Sequence, residues 1–182
     1  MTRNKKIFLY TAYFILILIT LGLFIITRLD FNPVLFTVFI STFTTIFHFT
    51  IRFSFANIIC NLIKKLIRYD AWWFREKPFE KMLYRILFVK KWKETLPTWN
   101  EGDFKVSLNE SEIVLNNMCF AEAYHEVCMV LSFIPIIFSI WWGEIWVFFW
   151  TSLGGAVFDS LFVLIQRFNR PRVLKYYNRT KN

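Results

Sequence analysis

Charge is missing from long stretches of this chain. Segments 7–26, 31–51, 127–142 and 145–165 contain no Lys, Arg or Glu, and Asp159 is their one carboxylate. With 56% hydrophobic and 21% aromatic residues among 182, the composition lies far from that of a soluble domain and reads as an integral membrane protein. Cysteine is scarce as well. Cys60, Cys119 and Cys128 form an odd set without CxxC spacing, which argues against a disulfide framework and against a structural zinc site. No internal repeat and no low-complexity tract is present, which argues against a repeat array. Acidic residues are outnumbered 13 to 22 by Lys and Arg, giving a net charge of +9. The basic residues alternate with Trp, Phe and Leu beside apolar segments, so membrane phosphate is the expected partner and nucleic acid is not.

What is present is a set of apolar runs of membrane-crossing length. The first, 7–26, follows Arg3, Lys5 and Lys6; its twenty uncharged residues exceed a signal-peptide core, and no small-residue cleavage site follows. The second, 31–51, opens on Asn32 as N-cap and Pro33 at the first helical position, and its short join to the first predicts a helical hairpin. A second hairpin is predicted from about 120–142 and 145–165, turning at Gly143 and Glu144 and bending at Pro135. The expected fold is therefore an all-α integral membrane protein, a single membrane domain over 1–182. About four transmembrane helices form two hairpins, with interfacial amphipathic helices between them.

Three Lys and Arg precede the first span, twelve lie in 52–126, six follow residue 165, and Arg28 alone falls on the other side. This distribution predicts a multi-pass protein of the cell membrane with both termini cytoplasmic, a cytoplasmic interfacial segment over about 52–119 and a cytoplasmic tail over 166–182. Within the central segment, 55–74 has apolar residues at helical spacing beside Lys64, Lys65 and Arg68 and ends in Trp72, Trp73 and Phe74, the pattern of a helix in the headgroup plane. Residues 79–97 alternate bulky apolar and basic side chains up to Pro97. A loop is expected over 98–108, and then a capping box, Ser107 with Glu110 or Asn109 with Glu112, opening the third span.

Several polar groups need an explanation beyond insertion. A carboxylate inside an apolar helix costs roughly 2.5–3.5 kcal/mol on insertion scales, so Asp159 must face protein, a cavity or a partner. At 100° per residue, Ser152, Asp159, Gln166 and Arg170 share one helix face within about 40°. Asp159 then either fixes helix packing or belongs to a site. Glu122, His125 and Glu126 share a face by their spacing, and a carboxylate one turn from an imidazole can fix its tautomer, as a general base requires. A plain surface histidine is the bland alternative. Glu-x-x-His is also half of a di-iron carboxylate site, but no second copy exists and His48 lacks carboxylate neighbours, so no metal is expected. With the hairpin turning at 143–144, His125 lies opposite residue 162 in depth, within about 5–6 Å of the levels of Asp159 and Gln166. The string QRFNRPRVL (166–174) closes the apolar run with three arginines. Arg167, Arg170 and Arg172 cannot share one face, and Pro171 is expected to bias Arg170 out of the helix and splay the guanidinium forks around an anion. Snorkelling to lipid phosphate is the competing reading.

FVKKWKETLP, AEAYHE and QRFNRPRVL, in this order, resemble the glycosyl-diaponeurosporenoate acyltransferase family of staphyloxanthin biosynthesis, small bacterial membrane proteins. The resemblance covers roughly residues 70–175 and falls on Phe79, Glu80, Tyr84, Val89, Lys91, Trp92, Lys93, Leu96, Pro97, Glu122, His125 and Gln166 through Arg172. Phe168 stands where the family usually shows Tyr, and Asp159 where an Asn is expected. The resemblance implies esterification of a sugar hydroxyl on a glycosylated carotenoid acid, or a related glycolipid, with a fatty acyl chain. On this reading His125 is the general base, oriented by Glu122 or Glu126. Asn169, Arg167, Arg170 or Arg172 holds the oxyanion or a donor phosphate, Asp159 and Gln166 bind sugar hydroxyls, and Trp92 and Lys93 belong to the binding region.

The expected partners are membrane lipids, a lipid-linked sugar acceptor and an activated acyl donor as co-substrate, without a further cofactor. Neither an HxxxxD nor a GxSxG motif is present, so direct transfer is expected in preference to a covalent serine intermediate. Two rival classes remain: a lipid-modifying transferase with a phosphate-bearing donor, and a non-catalytic lipid-binding or assembly subunit.

Overall fold

The computed structural model describes residues 3–96, 101–104 and 111–181, and among these every regular element is helical. Four helices are long and apolar enough to cross a membrane: Ile7–Leu29, Pro33–Leu62, Ser111–Trp142 and Ile145–Lys181. Both alternatives for the capping box, Pro97 and most of the predicted loop lie outside the described residues.

The chain divides into two compact units. One comprises residues 2–57 and 128–158. In it, α1 (Arg3–Leu29) turns at Asp30 to Asn32 into α2 (Pro33–Thr50). The Asn32 side chain accepts from the backbone N–H of Val34 at 2.9 Å and of Leu35 at 3.3 Å, and Pro33 fills the first turn, where its missing N–H has no cost. The helix does not stop at residue 51 as the hydropathy reading places it. A single π-turn, Ile51–Phe55, carries it on into α3 (Ala56–Leu62). Packing is aromatic: Phe39, Ile40 and Phe148 form a buried centre, and Phe43 meets Trp142 edge to face at 5.0 Å between centroids. Near Pro135 the helix tightens into a 3₁₀ stretch, Ile134–Phe138, followed by α7 (Ser139–Trp142). The chain then reverses at Gly143, φ 69°, and Glu144, φ 52°, into α8 (Ile145–Lys181).

The other unit comprises residues 58–127 and 159–182. Its segment between Leu62 and α6 is more broken than the sequence pattern predicts. After Leu62 come only short turns, Lys64–Leu66 and Trp72–Phe74, in place of one amphipathic helix. The 79–97 segment splits into α4 (Glu80–Ile86) and α5 (Val89–Trp92) at Phe88, which adopts φ 50°. The Trp92 indole N–H donates to the Leu87 carbonyl at 2.8 Å and satisfies the group that the break exposes. Core residues here are Cys60, Ile67, Phe74, Cys119 and Ala123, with α6 (Ser111–Leu131) supplying the last two.

Pro171 does not end α8. Arg170 stays helical and the helix continues to Lys181, so 166–181 is an extension of the helix. Proline removes one hydrogen bond, to the Arg167 carbonyl. The ion pairs of Arg167 and Arg170, described below, use the i, i+3 spacing of the helix that leads up to Pro171. At 37 residues and 1.5 Å per residue, α8 is about 55 Å long, well beyond a hydrocarbon core of about 30 Å.

Gly143 combines φ 69° with ψ −142°, a region essentially reserved for glycine, while a Cβ there would meet nothing within 4 Å. Gly143→Ala is expected to lose about 1–3 kcal/mol by backbone strain alone. Gly154→Ala, in open space inside α8, is expected to gain about 0.5–1 kcal/mol. Reversible unfolding in detergent checks both signs.

Candidate active site

Glu122 on α6 is fully buried and lies between two arginines of α8. Arg170 Nη1 donates to Glu122 Oε2, and Arg167 Nε stands 2.7 Å from Glu122 Oε1. Arg167 also reaches Glu80 Oε1 of α4, itself only 2% exposed. Two carboxylates and two guanidinium groups thus neutralise one another inside the unit. The remaining donors find backbone: Arg167 Nη2 donates to the Trp73 carbonyl at 2.9 Å, and Arg170 Nη2 to the Phe74 carbonyl. Tyr84, one turn along α4, donates its hydroxyl to Glu80 Oε2 at 2.7 Å. Burial, and next the bond to Glu80, pushes the Tyr84 phenol well above its ordinary pKa, so it remains a neutral donor. The cluster ties the 72–74 turn and α4 to α6 and α8.

The carboxylate beside His125 is Asp159. Its Oδ1 lies 2.9 Å from His125 Nδ1, with Asp159 fully buried and 19% of the His125 side chain exposed. The sequence assignment places Glu122 or Glu126 there. Glu122 is taken by the arginines, and Glu126 accepts from the Trp73 indole N–H at 2.8 Å. Phe162 lies flat on the imidazole, 4.6 Å between centroids and 10° between planes, at the depth the hairpin register predicts.

Two of the other sequence candidates, Lys93 and Arg172, sit beside Phe168. Lys93 Nζ donates to Asn169 Oδ1 at 3.3 Å and stands 5.5 Å from the Phe168 ring, while the exposed Arg172 lies 4.8 Å from the same ring. Tyr84 meets Phe168 edge-on at 5.3 Å. Gln166 is half-buried on α8, and Trp92 is engaged at the α4–α5 break. Glu80 and Tyr84 had no role in the sequence reading. A signal was available, since a glutamate with a tyrosine four residues on, beside a run of apolar residues, invites a buried partner, but the partner's identity depends on a tertiary contact.

Two clefts open beside the cluster. One, of about 500 Å³, is mostly apolar and runs between Trp72, Trp73, Phe79, Leu83, Tyr84 and Leu164, with Glu80 and Arg167 at its edge. The other, of about 680 Å³, borders Arg167 and Arg170 and extends along α8 to Arg179. His125 lines neither.

The fold and this site define an all-helical membrane protein with a balanced ionic cluster and a histidine–aspartate pair in one unit. The family model for glycosyl-4,4'-diaponeurosporenoate acyltransferase matches residues 70–179, more than half of the chain, and the chain belongs to that family. The match takes in every residue of the cluster and of the pair. The family name gives the activity as acyl transfer. No curated protein and no solved structure gives a significant match.

Removing one partner from a buried ion pair leaves the other charge uncompensated, an effect of about 3–5 kcal/mol. Glu122→Gln is expected to destabilise the protein by about that amount in detergent unfolding. Arg170→Lys is expected to restore little relative to Arg170→Ala, because an ammonium does not present the planar fork that serves Glu122 and the Phe74 carbonyl together.

Proposed function

We propose that the protein transfers a fatty acyl chain to a sugar hydroxyl of a glycosylated carotenoid acid or related glycolipid, at the cytoplasmic surface of the cell membrane, with His125 as general base. The observation that carries this reading is the 2.9 Å contact between His125 Nδ1 and the buried Asp159 carboxylate. An ionised carboxylate only accepts, so Nδ1–H donates to it and the lone pair is left on Nε2. Phe162 fixes the ring plane, and the exposed part of the side chain admits an acceptor.

Nε2 takes the proton of the sugar hydroxyl as its oxygen attacks the acyl carbonyl. A new C–O ester bond forms, the bond from the acyl carbon to the donor's leaving group breaks, and the imidazolium returns the proton to that group. Asp159 acts through His125, as a positioning residue that stabilises the imidazolium. Gln166, four residues beyond Phe162 and about 6 Å along α8, offers an amide for sugar hydroxyls. Asn169 rises roughly 10 Å beyond Phe162 and is held by Lys93, so it contacts substrate further from the reacting carbonyl. The apolar cleft between Trp72 and Leu164 suits an acyl or polyene chain. The Lys and Arg distribution supports cytoplasmic termini and a cytoplasmic site.

The test is mass spectrometry of lipids from a host that makes a glycosylated carotenoid acid, with variants at matched membrane levels. Added fatty-acyl mass is expected with the intact protein, reduced by about two to four orders of magnitude in His125→Ala and strongly in Asp159→Asn. Full acylation by His125→Ala overturns the base assignment. A correctly inserted intact protein that acylates nothing overturns the acceptor.

A further inference from the structure

The arginines that the sequence reading offers to a donor phosphate, Arg167 and Arg170, are neutralised by Glu80 and Glu122. Three other cations line one cleft together. The 680 Å³ cleft along the end of α8 is lined by Arg75, Lys175 and Arg179, all exposed, against one exposed carboxylate, Glu76, which also lies 3.8 Å from Lys81 Nζ. Lys175 and Arg179 are one helical turn apart and face the same cavity. Arg75 is held in place by two bonds from its guanidinium to the Asp70 carbonyl, each 3.3 Å. Tyr69 and Asn178 add polar groups beside these cations, and Leu115, Pro171 and Leu174 form an apolar wall leading toward the buried cluster.

A cavity lined by cations and by an apolar wall suits an amphiphilic phosphate ester better than a neutral sugar or a hydrocarbon. We infer that Arg75, Lys175 and Arg179 bind the phosphate-bearing end of the activated acyl donor. The word donor rests on the acyl-transfer reading above; the phosphate site itself does not. Phosphate esters reach such a cleft either as a soluble thioester carrier or as a phospholipid headgroup, and the two sources are separable by experiment.

The full-length protein in neutral-detergent micelles is titrated with coenzyme A, and the titration is repeated in nanodiscs containing phosphatidylglycerol. Saturable binding in micelles is expected, weakened at least about tenfold in the Arg75→Gln, Lys175→Gln, Arg179→Gln triple variant and retained in the charge-preserving Arg75→Lys, Lys175→Arg, Arg179→Lys variant, which controls for folding. If phosphatidylglycerol displaces coenzyme A from the native protein, and copurifies with it but not with the Gln variant, the phosphate source is the lipid. Equal binding by the native and Gln proteins, or binding of neither ligand, overturns the site. His125→Ala is expected to bind as the native protein does. Intact phosphate binding without any acyl transfer therefore refutes the proposed reaction alone, and transfer with unchanged binding in the Gln variant refutes this inference alone.

Discussion

The Glu122 carboxylate, buried between Arg167 and Arg170, is the constraint on which the rest of this unit depends. An isolated charge at that depth is prohibitive, so each member of the cluster fixes another. Arg167 needs Glu80 as well as Glu122, and Glu80 in turn accepts from Tyr84. The spare guanidinium donors reach the Trp73 and Phe74 carbonyls, which places a turn that has little regular structure of its own. The same geometry keeps the backbone helical up to Arg170, because Arg167 and Arg170 reach one carboxylate from adjacent positions on a helix face.

This division of labour decides how the polar residues are interpreted. Three carboxylates lie near one another in sequence or register, and each has a different partner: Glu122 the arginines, Glu126 the Trp73 indole, Asp159 the imidazole. Only the last leaves a ring nitrogen available for proton transfer. Since the inner arginines are neutralised in pairs, on the inference drawn above recognition of an anion passes to the cations lining the cleft, Arg75, Lys175 and Arg179. On that inference the interior charge is structural, and the exposed charge is what a soluble or lipid phosphate would meet.

The membrane helices were legible in the sequence because hydropathy, the Asn32–Pro33 start and the Gly143–Glu144 turn are local signals. The depth register that set His125 opposite residue 162 follows from helical rise alone, and the Phe162 stacking agrees with it. Periodicity failed where local breaks intervene. The left-handed Phe88 splits the alternating 79–97 stretch, and short turns after Leu62 replace the second half of the expected 55–74 helix. The π-turn at Ile51–Phe55 has no sequence signature, so the continuation of the helix to Leu62 was not legible. Partner choice was the least legible feature. Spacing along α6 puts Glu122 and His125 on one face, but tertiary contacts assign the first to arginines and the second to Asp159, and no single-helix argument contains that information.

The central functional claim is that Asp159 holds His125 with its outward nitrogen unprotonated. It is tested most directly by ¹⁵N NMR of histidine-labelled protein in detergent at a pH where the ring is neutral, with His125 assigned by its absence from His125→Ala. The expected result is a protonated Nδ1 and a bare Nε2 in the native protein, with this preference lost in Asp159→Asn. A native spectrum showing protonated Nε2 and bare Nδ1 would mean that Asp159 donates to the ring; the one lone pair of His125 would then be held by Asp159, and none would be left to accept the hydroxyl proton.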